Sequence, residues 1–245
     1  MNTYKTRSHR IRHLENYKNL FPVKANIVLA GIIADLIGDG NLQADPKWRI
    51  DFTSKSKSEL RRFEKEILSL FNVKCKIRMC SSNIYGETYN ISMNCSPITR
   101  ILFLCGVVSG QKVLVDFDIP IWIKKDKKCF RRFAQRIFTC EGSILYEKYR
   151  RIPQVRLHMW KAEKHLKQGN IFMNNISNLM KEYFDINSTV RTGKAHSTRK
   201  DGIITRPTVI YITGESVIKF CKEIGFEGEK QARLRDILVS KKIKI

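Results

Sequence analysis

Two carboxylates in this chain stand directly before a glycine at the end of an apolar stretch: Asp39 before Gly40, and Glu141 before Gly142. At a helix C-terminus a carboxylate meets the negative end of the helix dipole, a penalty of ~0.3–1 kcal/mol. One such acid is an ordinary residue before a glycine stop. Two at equivalent places imply a use for the negative charge. Oxygen ligands that leave room for bound water suit Mg2+, with Ca2+ or Mn2+ as substitutes. Two such ions roughly 3.5–4 Å apart can activate water and stabilise the leaving oxygen in phosphodiester hydrolysis.

The charge of the chain fits a phosphodiester partner. Across 245 residues, 46 Lys and Arg face 23 Asp and Glu, for a formal net charge of +23. A small soluble domain usually carries a net charge of roughly 2–8. An excess this large repels itself in the compact state and points to a polyanion. A disordered basic protein is excluded by 42% hydrophobic and 10% aromatic content. The longest apolar runs, Ile27–Ala34 and Ile101–Val108, fall well short of the ~20 residues of a membrane-spanning helix. The opening Met1–Arg12 is polar and basic, so no signal peptide is expected. Seven cysteines without CxxC spacing read as reduced thiols in a cytoplasm, or in an organelle of a eukaryotic host. His9 and His13 read as part of a solvated basic arm rather than a metal pair. No Gly-rich phosphate loop or nucleophile motif supports an enzyme of small acidic substrates.

Periodicity supplies the elements that must place the acids. Ile27–Ile37 is apolar nearly all round and stops at Gly38-Asp39-Gly40, which predicts a helix. A short strand near Asn41–Ala44 follows, with Asp45-Pro46 as the turn, then an alternating strand over Lys47–Thr53. Lys57–Phe71 has helical spacing, Val73–Met79 and Thr88–Cys95 alternate, and Ser96-Pro97 opens a helix to about Val107. The second half repeats this order: a helix over Arg131–Cys140, strands over Ile144–Tyr149 and Gln154–Trp160, and a helical region over Lys161–Phe184 interrupted near Gly169. Strands over Ile186–Arg191 and Thr208–Thr213 and a closing helix over Glu215–Ile224 complete it. Leu70-Phe71-Asn72-Val73 parallels Tyr183-Phe184-Asp185-Ile186, Arg78 parallels Arg191, and Asp39 parallels Glu141. The chain is an internal duplication of one supersecondary unit. The expected fold class is α+β, with tandem pseudo-twofold αββαββα repeats. The segments are a basic arm (1–24), a first repeat (25–108), a linker (109–126), a second repeat (127–226) and a basic C-terminal segment (227–245).

In each copy the polar strand faces carry donors suited to base edges and phosphates. Copy one offers Lys74, Lys76, Arg78, Asn90, Ser92 and Asn94, and copy two Gln154, Arg156, His158, Asn187, Thr189 and Arg191. No Asp or Glu occurs among these positions, and Lys47 and Arg49 add to them. An ordinary solvated face would mix acids with bases. A two-stranded ribbon fits the major groove of DNA, roughly 12 Å wide. Double-stranded DNA is the expected partner, and salt should weaken binding with a log–log slope of about −0.9 per phosphate neutralised.

The residues Ile32-Ile33-Ala34-Asp35-Leu36-Ile37-Gly38-Asp39-Gly40 and Phe133-Ala134-Gln135-Arg136-Ile137-Phe138-Thr139-Cys140-Glu141-Gly142 resemble the two motifs of the LAGLIDADG homing endonucleases. The resemblance covers about Ala25 to Phe226, and Ile119-Pro120-Ile121-Trp122-Ile123 resembles a segment that often precedes the second motif. Two motifs in one chain imply a monomer whose two antiparallel sheets form a DNA-binding saddle, with the motif helices packed at its centre. The resemblance implies Mg2+-dependent cleavage of both strands of a long asymmetric DNA site, in an enzyme encoded within an intron. It implies metal ligation by Asp39 and Glu141 with the backbone carbonyls of Gly38 and Cys140. Lys55 and Lys161, each after the second strand of its copy, are the basic residues expected to order water, and Ser54 stands where some relatives have glutamine. Copy one keeps the small residues Ala30, Ala34 and Gly38 on its motif helix, whereas copy two has Arg136 where a glycine is usual. Either Arg136 leaves the helix interface or the helices splay. Asp35, one turn before Asp39, is either a supporting group for the metal or a structural acid. The alternative function is a maturase for intron RNA, or a DNA-binding protein of the same fold that does not cleave.

Overall fold

The computed structural model describes residues 4–83, 86–147, 152–194 and 196–243, in two compact units, Met1–Gly110 and Gln111–Ile245. In the first unit α1 (Arg7–Asn16) precedes α2 (Ile27–Ile37), β1 (Gly40–Gln43), β2 (Arg49–Ser54), α3 (Lys57–Phe71), β3 (Ile77–Asn83), β4 (Gly86–Met93) and α4 (Ser96–Leu104). The second unit contains α5 (Ile121–Lys124), α6 (Lys127–Glu141), β5 (Gly142–Leu145), β6 (Gln154–Ala162), α7 (Leu166–Phe184), β7 (Thr189–Thr192), β8 (Ser197–Thr198), β9 (Ile204–Ile212), α8 (Glu215–Glu223) and α9 (Gly228–Ser240). The sheets have the same antiparallel order, β1-β2-β4-β3 and β5-β6-β9-β7, with β8 added beside β9.

Local chemistry explains the boundaries. Asn26 caps α2 by accepting from the Leu29 N–H at 2.8 Å, and Asp126 caps α6 by accepting from the Cys129 N–H at 2.7 Å. That N–H also holds the Asp126 carboxyl below its ordinary pKa. Every residue of α2 from Leu29 to Ile37 is buried. In α3, Leu60, Phe63, Ile67 and Phe71 are buried, and Phe63 stacks on Phe52 of β2 at 4.6 Å. Asn72 ends α3 and Asp185 ends α7, both at φ 53°. Asn and Asp tolerate this left-handed conformation, which gives the matched sequence segments one physical role.

Register confirms the duplication residue by residue. Gly40 lies opposite Phe52, Phe52 opposite Ile91, and Ile91 opposite Ile77. The second unit has Gly142, Leu157, Ile210 and Val190 in the same places. Arg78 opposite Asn90 therefore matches Arg191 opposite Val209.

Some expected boundaries move. The strand expected from Val73 begins at Ile77, and the alternation before it records only the burial of Cys75. Lys161 and Ala162 end β6 instead of opening a helix, and α7 runs through Gly169 unbroken. The glycine serves packing there, since a Cβ on Gly169 would lie 2.7 Å from Cγ of Lys161. The strands expected over Ile186–Arg191 and Thr208–Thr213 occupy Thr189–Thr192 and Ile204–Ile212. The end of the strand expected over Ile144–Tyr149 lies outside the described residues. Part of the expected linker is built into the second unit: Asn175 of α7 donates to Asp118, and Tyr183 donates to the Lys124 carbonyl at 2.7 Å.

Candidate functional site

The two acids share a local geometry. Asp39 is exposed in the turn between α2 and β1; Glu141 is the last residue of α6 and half-buried. The glycine after each is sterically required. A Cβ on Gly40 would lie 2.7 Å from the Leu36 Cα, and one on Gly142 would lie 2.2 Å from the Phe138 carbonyl oxygen. The chain turns back so tightly on the last helical turn that only glycine fits. Each acid is thereby fixed between a helix end and a strand start.

The charged residues near the motif helices are engaged within their own units. Asp35 is 0% exposed and accepts from Arg62 Nη2 of α3 at 2.7 Å. Arg62 also meets Glu66 at 2.5 Å and Glu59 at 3.5 Å. Asp35 is thus part of a buried ion-pair network that ties α2 to α3. Arg136, also 0% exposed, donates to Glu227 at 2.5 Å, and Arg132 pairs with the same carboxylate. Glu227 precedes α9, so the residue that departs from the family pattern anchors the C-terminal helix. Lys230 of α9 donates to the carbonyls of Thr139 at 2.5 Å, Gly142 at 2.9 Å and Cys140 at 3.4 Å. An ammonium here satisfies C-terminal carbonyls of α6 and complements its dipole. Sequence reasoning missed Lys230, because nothing local links it to a residue nearly ninety positions earlier.

The pairing of Lys55 with Lys161 needs correction. Phe52 and Leu157 are register equivalents, so the counterpart of Lys55 is Trp160 and Lys161 falls one residue later. A one-residue slip moves a side chain to the opposite sheet face. Lys55 is exposed in the bend just after β2, whereas Lys161 is 2% exposed on the core face with Leu157 and Met159. Its ammonium donates to the carbonyls of Lys112 at 2.6 Å and Val115 at 2.8 Å, and lies 3.8 Å from the Phe117 ring centre. Burial lowers its pKa to about 8. Lys161 pins a loop, its ammonium engaged with two loop carbonyls.

The open sheet faces are only partly as expected. Arg49, Asn90 and Ser92 share the face in the first unit with Arg78, but Asp51 joins them, bound by Arg49 at 2.6 Å and Ser92 at 2.6 Å. Asn41 and Gln43 of β1 lie opposite Asp51 and Arg49 and extend this face. Lys47 is exposed in the turn before β2; Lys74, Lys76 and Asn94 are exposed but off the ladders. In the second unit Arg156, His158, Thr189 and Arg191 lie on the face, joined by Trp160 and Tyr211. Gln154 is mostly buried and accepts from Arg156 at 2.6 Å, and Asn187 precedes β7. The His158 and Trp160 rings are 5.6 Å apart, and Arg156 sits 5.3 Å over Tyr211. Burial, then the Arg156 charge, lowers the His158 pKa. Strict alternation along β6 could have revealed Trp160, whose parity matches Arg156.

Among the described residues no three His, Cys, Asp or Glu side chains gather as a metal cluster, and no helix is long and apolar enough to cross a membrane. The donor set at Asp39, a solvent-facing carboxylate at a helix carbonyl end, fits a hard divalent ion. Glu141 offers the same donor type, but Lys230 already approaches the neighbouring Cys140 carbonyl.

No protein-family profile matches the chain. Two curated proteins do. It is 24% identical over 246 residues to the tRNA-splicing ligase RtcB of Methanopyrus kandleri, covering 93% of this chain and 24% of that protein. It is 23% identical over 211 residues to the replication factor C small subunit of Methanocaldococcus jannaschii, covering 83% of this chain and 11% of that protein. The chain thus spans at most about a quarter of either relative. Three solved structures match over more than nine tenths of their lengths. The homing endonuclease I-WcaI bound to its DNA recognition sequence has a TM-score of 0.55 at 12% identity, with 90% of this chain and 91% of that chain covered. I-DmoI in complex with DNA and Mn has a TM-score of 0.51 at 17% identity, with 81% and 97% covered. The N-terminal LAGLIDADG domain of DUF199/WhiA has a TM-score of 0.52 at 16% identity, with 94% and 97% covered. The duplicated unit, the acid-glycine turns and these likenesses agree: the chain has the two-repeat fold of the LAGLIDADG homing endonucleases.

Proposed function

We propose that this protein is a site-specific endonuclease of double-stranded DNA that hydrolyses phosphodiester bonds with Mg2+. The observation that carries the reading is the repeated acid-glycine turn. An acid held at the unfavourable end of a helix, twice, by a glycine that admits no side chain, is an arrangement that folding alone does not require. Likeness to homing endonucleases with DNA, and in one case Mn, bound supports the same reading. The curated relatives carry two unrelated names and match over a small part of each, so neither name is transferred.

Asp39 and Glu141 would hold the divalent ions, with the Gly38 carbonyl beside the first. The bound ions would supply an activated water and charge stabilisation for the leaving oxygen. The remaining work falls to the chain. The open faces carrying Arg49, Arg78, Arg156 and Arg191 bind and orient the duplex. Lys55, exposed at the end of β2, is the remaining candidate for ordering water. Lys230 holds the end of α6 and with it the backbone position of Glu141.

The second reading is binding without cleavage, to DNA or to an intron RNA. It is favoured by Lys230, whose ammonium sits at the Cys140 carbonyl where a metal ligand was expected. The fold also occurs in WhiA, which is not named as a nuclease. The decisive experiment presents the chain with a library of long duplex sites with and without Mg2+, and compares Asp39→Asn and Glu141→Gln. Mg2+-dependent cuts that disappear in both variants while binding persists support the nuclease. Binding to duplex DNA with no cut in any site sinks it.

A further inference from the structure

The N-terminal segment lies outside the duplicated unit, yet α1 folds against the first unit and helps enclose a second polar site. The site is a cleft of about 380 Å³ at the β1–β2 turn, beside α1 and the start of α4. It lies at the opposite end of β1 from Asp39, four strand residues or roughly 13 Å away. Lys5, His9, Arg12, His13, Lys47 and Arg100 contribute to its walls, against one acid, Asp45, which Lys5 holds at 3.0 Å.

Among its lining residues are buried donors that no described residue accepts from. Arg100 is 8% exposed, and its guanidinium is sandwiched between the rings of Tyr4, 4.1 Å away, and Trp48, 3.9 Å away. Its Nε donates to Ser96 at 3.1 Å, but its buried Nη1 has no acceptor among the described residues. Trp48 is 5% exposed, and its indole N–H also has none. Nδ1 of His13 is buried and unpartnered as well. Trp48 adopts φ 46°, a conformation that costs a bulky residue strain. Guanidinium and indole nitrogens can only donate, so two buried donors on residues lining one cleft, with no acceptor among the described residues, call for an acceptor from outside them. An oxyanion supplies several lone pairs and offsets the surrounding charge. The aromatic sandwich fixes the guanidinium fork in advance, which suits a phosphate better than a spherical anion.

The geometry points to a phosphate-binding site formed by Arg100, the indole of Trp48 and His13. The donor arrangement alone carries the phosphate chemistry. Its assignment to a DNA backbone phosphate, clamped outside the sheet face, rests on the DNA-binding reading; a free phosphate is the other source. His13 provides a reporter. Burial, then the charges of Arg100, His9 and Arg12, lowers its pKa, and a bound anion reverses the charge contribution.

The test begins without DNA. Inorganic phosphate is titrated into the full chain, against chloride at equal ionic strength, and the Trp48 indole, Arg100 Nε and His13 signals are followed by NMR. A saturable shift of the first two, with a rise in the His13 pKa, is expected for phosphate only. Arg100→Lys should abolish it. Arg12→Gln, an exposed change that spares the fold if Arg100→Lys does not, should weaken phosphate roughly two- to fivefold, as removal of an exposed charge does. Equal response to chloride and phosphate, or no response, overturns the site. In a second arm, Arg100→Gln, which removes the charge, should lower the salt slope of duplex binding by about one. An unchanged slope with the phosphate response intact assigns the site to free phosphate. A chain that binds no duplex at all refutes the DNA reading while leaving the first arm decisive.

Discussion

The ammonium of Lys230 lies 2.9 Å from the carbonyl oxygen of Gly142, the residue that follows Glu141. It also reaches the Thr139 carbonyl at 2.5 Å, so one side chain of α9 bridges both sides of the second acid. With Arg132 and Arg136 bound to Glu227, this makes α9 part of the framework that holds α6.

Truncating Lys230 to methionine should therefore destabilise the protein by about 1.5–3 kcal/mol, the range for hydrogen bonds to a charged group. Lys230→Arg should recover part of that loss. Denaturant melts check this; a Lys230→Met melt that coincides with the wild type would show that the contact carries no stability.

Asp39→Asn and Glu141→Gln should each reduce Mg2+-dependent cutting by roughly 10³-fold, since several kcal/mol of metal-derived stabilisation is lost. If the proposed function holds, duplex affinity in the absence of metal should hold or improve, because the duplex is a polyanion and one negative charge is removed from the protein. Single-turnover cleavage and metal-free binding assays separate the two effects.

Lys161 predicts a pH dependence of stability. Its pKa falls from 10.5 to about 8 in the folded chain because the ammonium is buried. The unfolded chain then holds this proton more tightly, so the penalty is fully present below about pH 8. It is relieved as pH rises from there toward 10.5, by an amount on the order of 3 kcal/mol. Other groups titrate in that window, so the reference is Lys161→Met. Wild-type stability should gain on the variant between pH 8 and 10; a constant difference would mean that the ammonium is not desolvated.

On the open face of the second sheet, Arg156→Gln should weaken duplex binding and lower the salt slope by about one. The same change removes the charge that, after burial, depresses the His158 pKa, so that pKa should rise. An NMR titration of His158 and salt-dependent binding test both halves.

What the sequence revealed and concealed follows from the range of the interactions. The helix ends at Gly40 and Gly142, the matched segments around Asn72 and Asp185, and the equivalence of Arg78 and Arg191 are local or periodic, and all were legible; that Asn72 and Asp185 are left-handed caps came from the structure. Lys161 was misassigned by one residue because chain order defines the end of a strand only loosely, while a sheet face changes with every residue. Gly169 suggested a break because glycine weakens helices, but its role is to admit the Lys161 stem. Arg100 and Lys230 act on residues far away in the chain, and periodicity holds no record of such contacts.

The two glycines supply the sharpest geometric prediction. A Cβ at position 142 would meet the Phe138 carbonyl oxygen at 2.2 Å and Cε1 of Phe226 at 2.9 Å, while one at position 40 would meet the Leu36 Cα at 2.7 Å. Backbone atoms form the closest contact in both cases, so no rotamer change relieves it. Gly142→Ala should cost about 3 kcal/mol or more by overpacking, with Gly40→Ala comparable. Ser143→Ala, at an exposed position one residue on, should cost little. Because each glycine fixes where the strand leaves the helix, either alanine should also displace the adjacent acid. A variant still folded at low temperature should then lose more cutting than duplex binding. Equal loss of both, or a Gly142→Ala melt matching Ser143→Ala, would show that the acid-glycine turn is not the rigid element that positions Glu141.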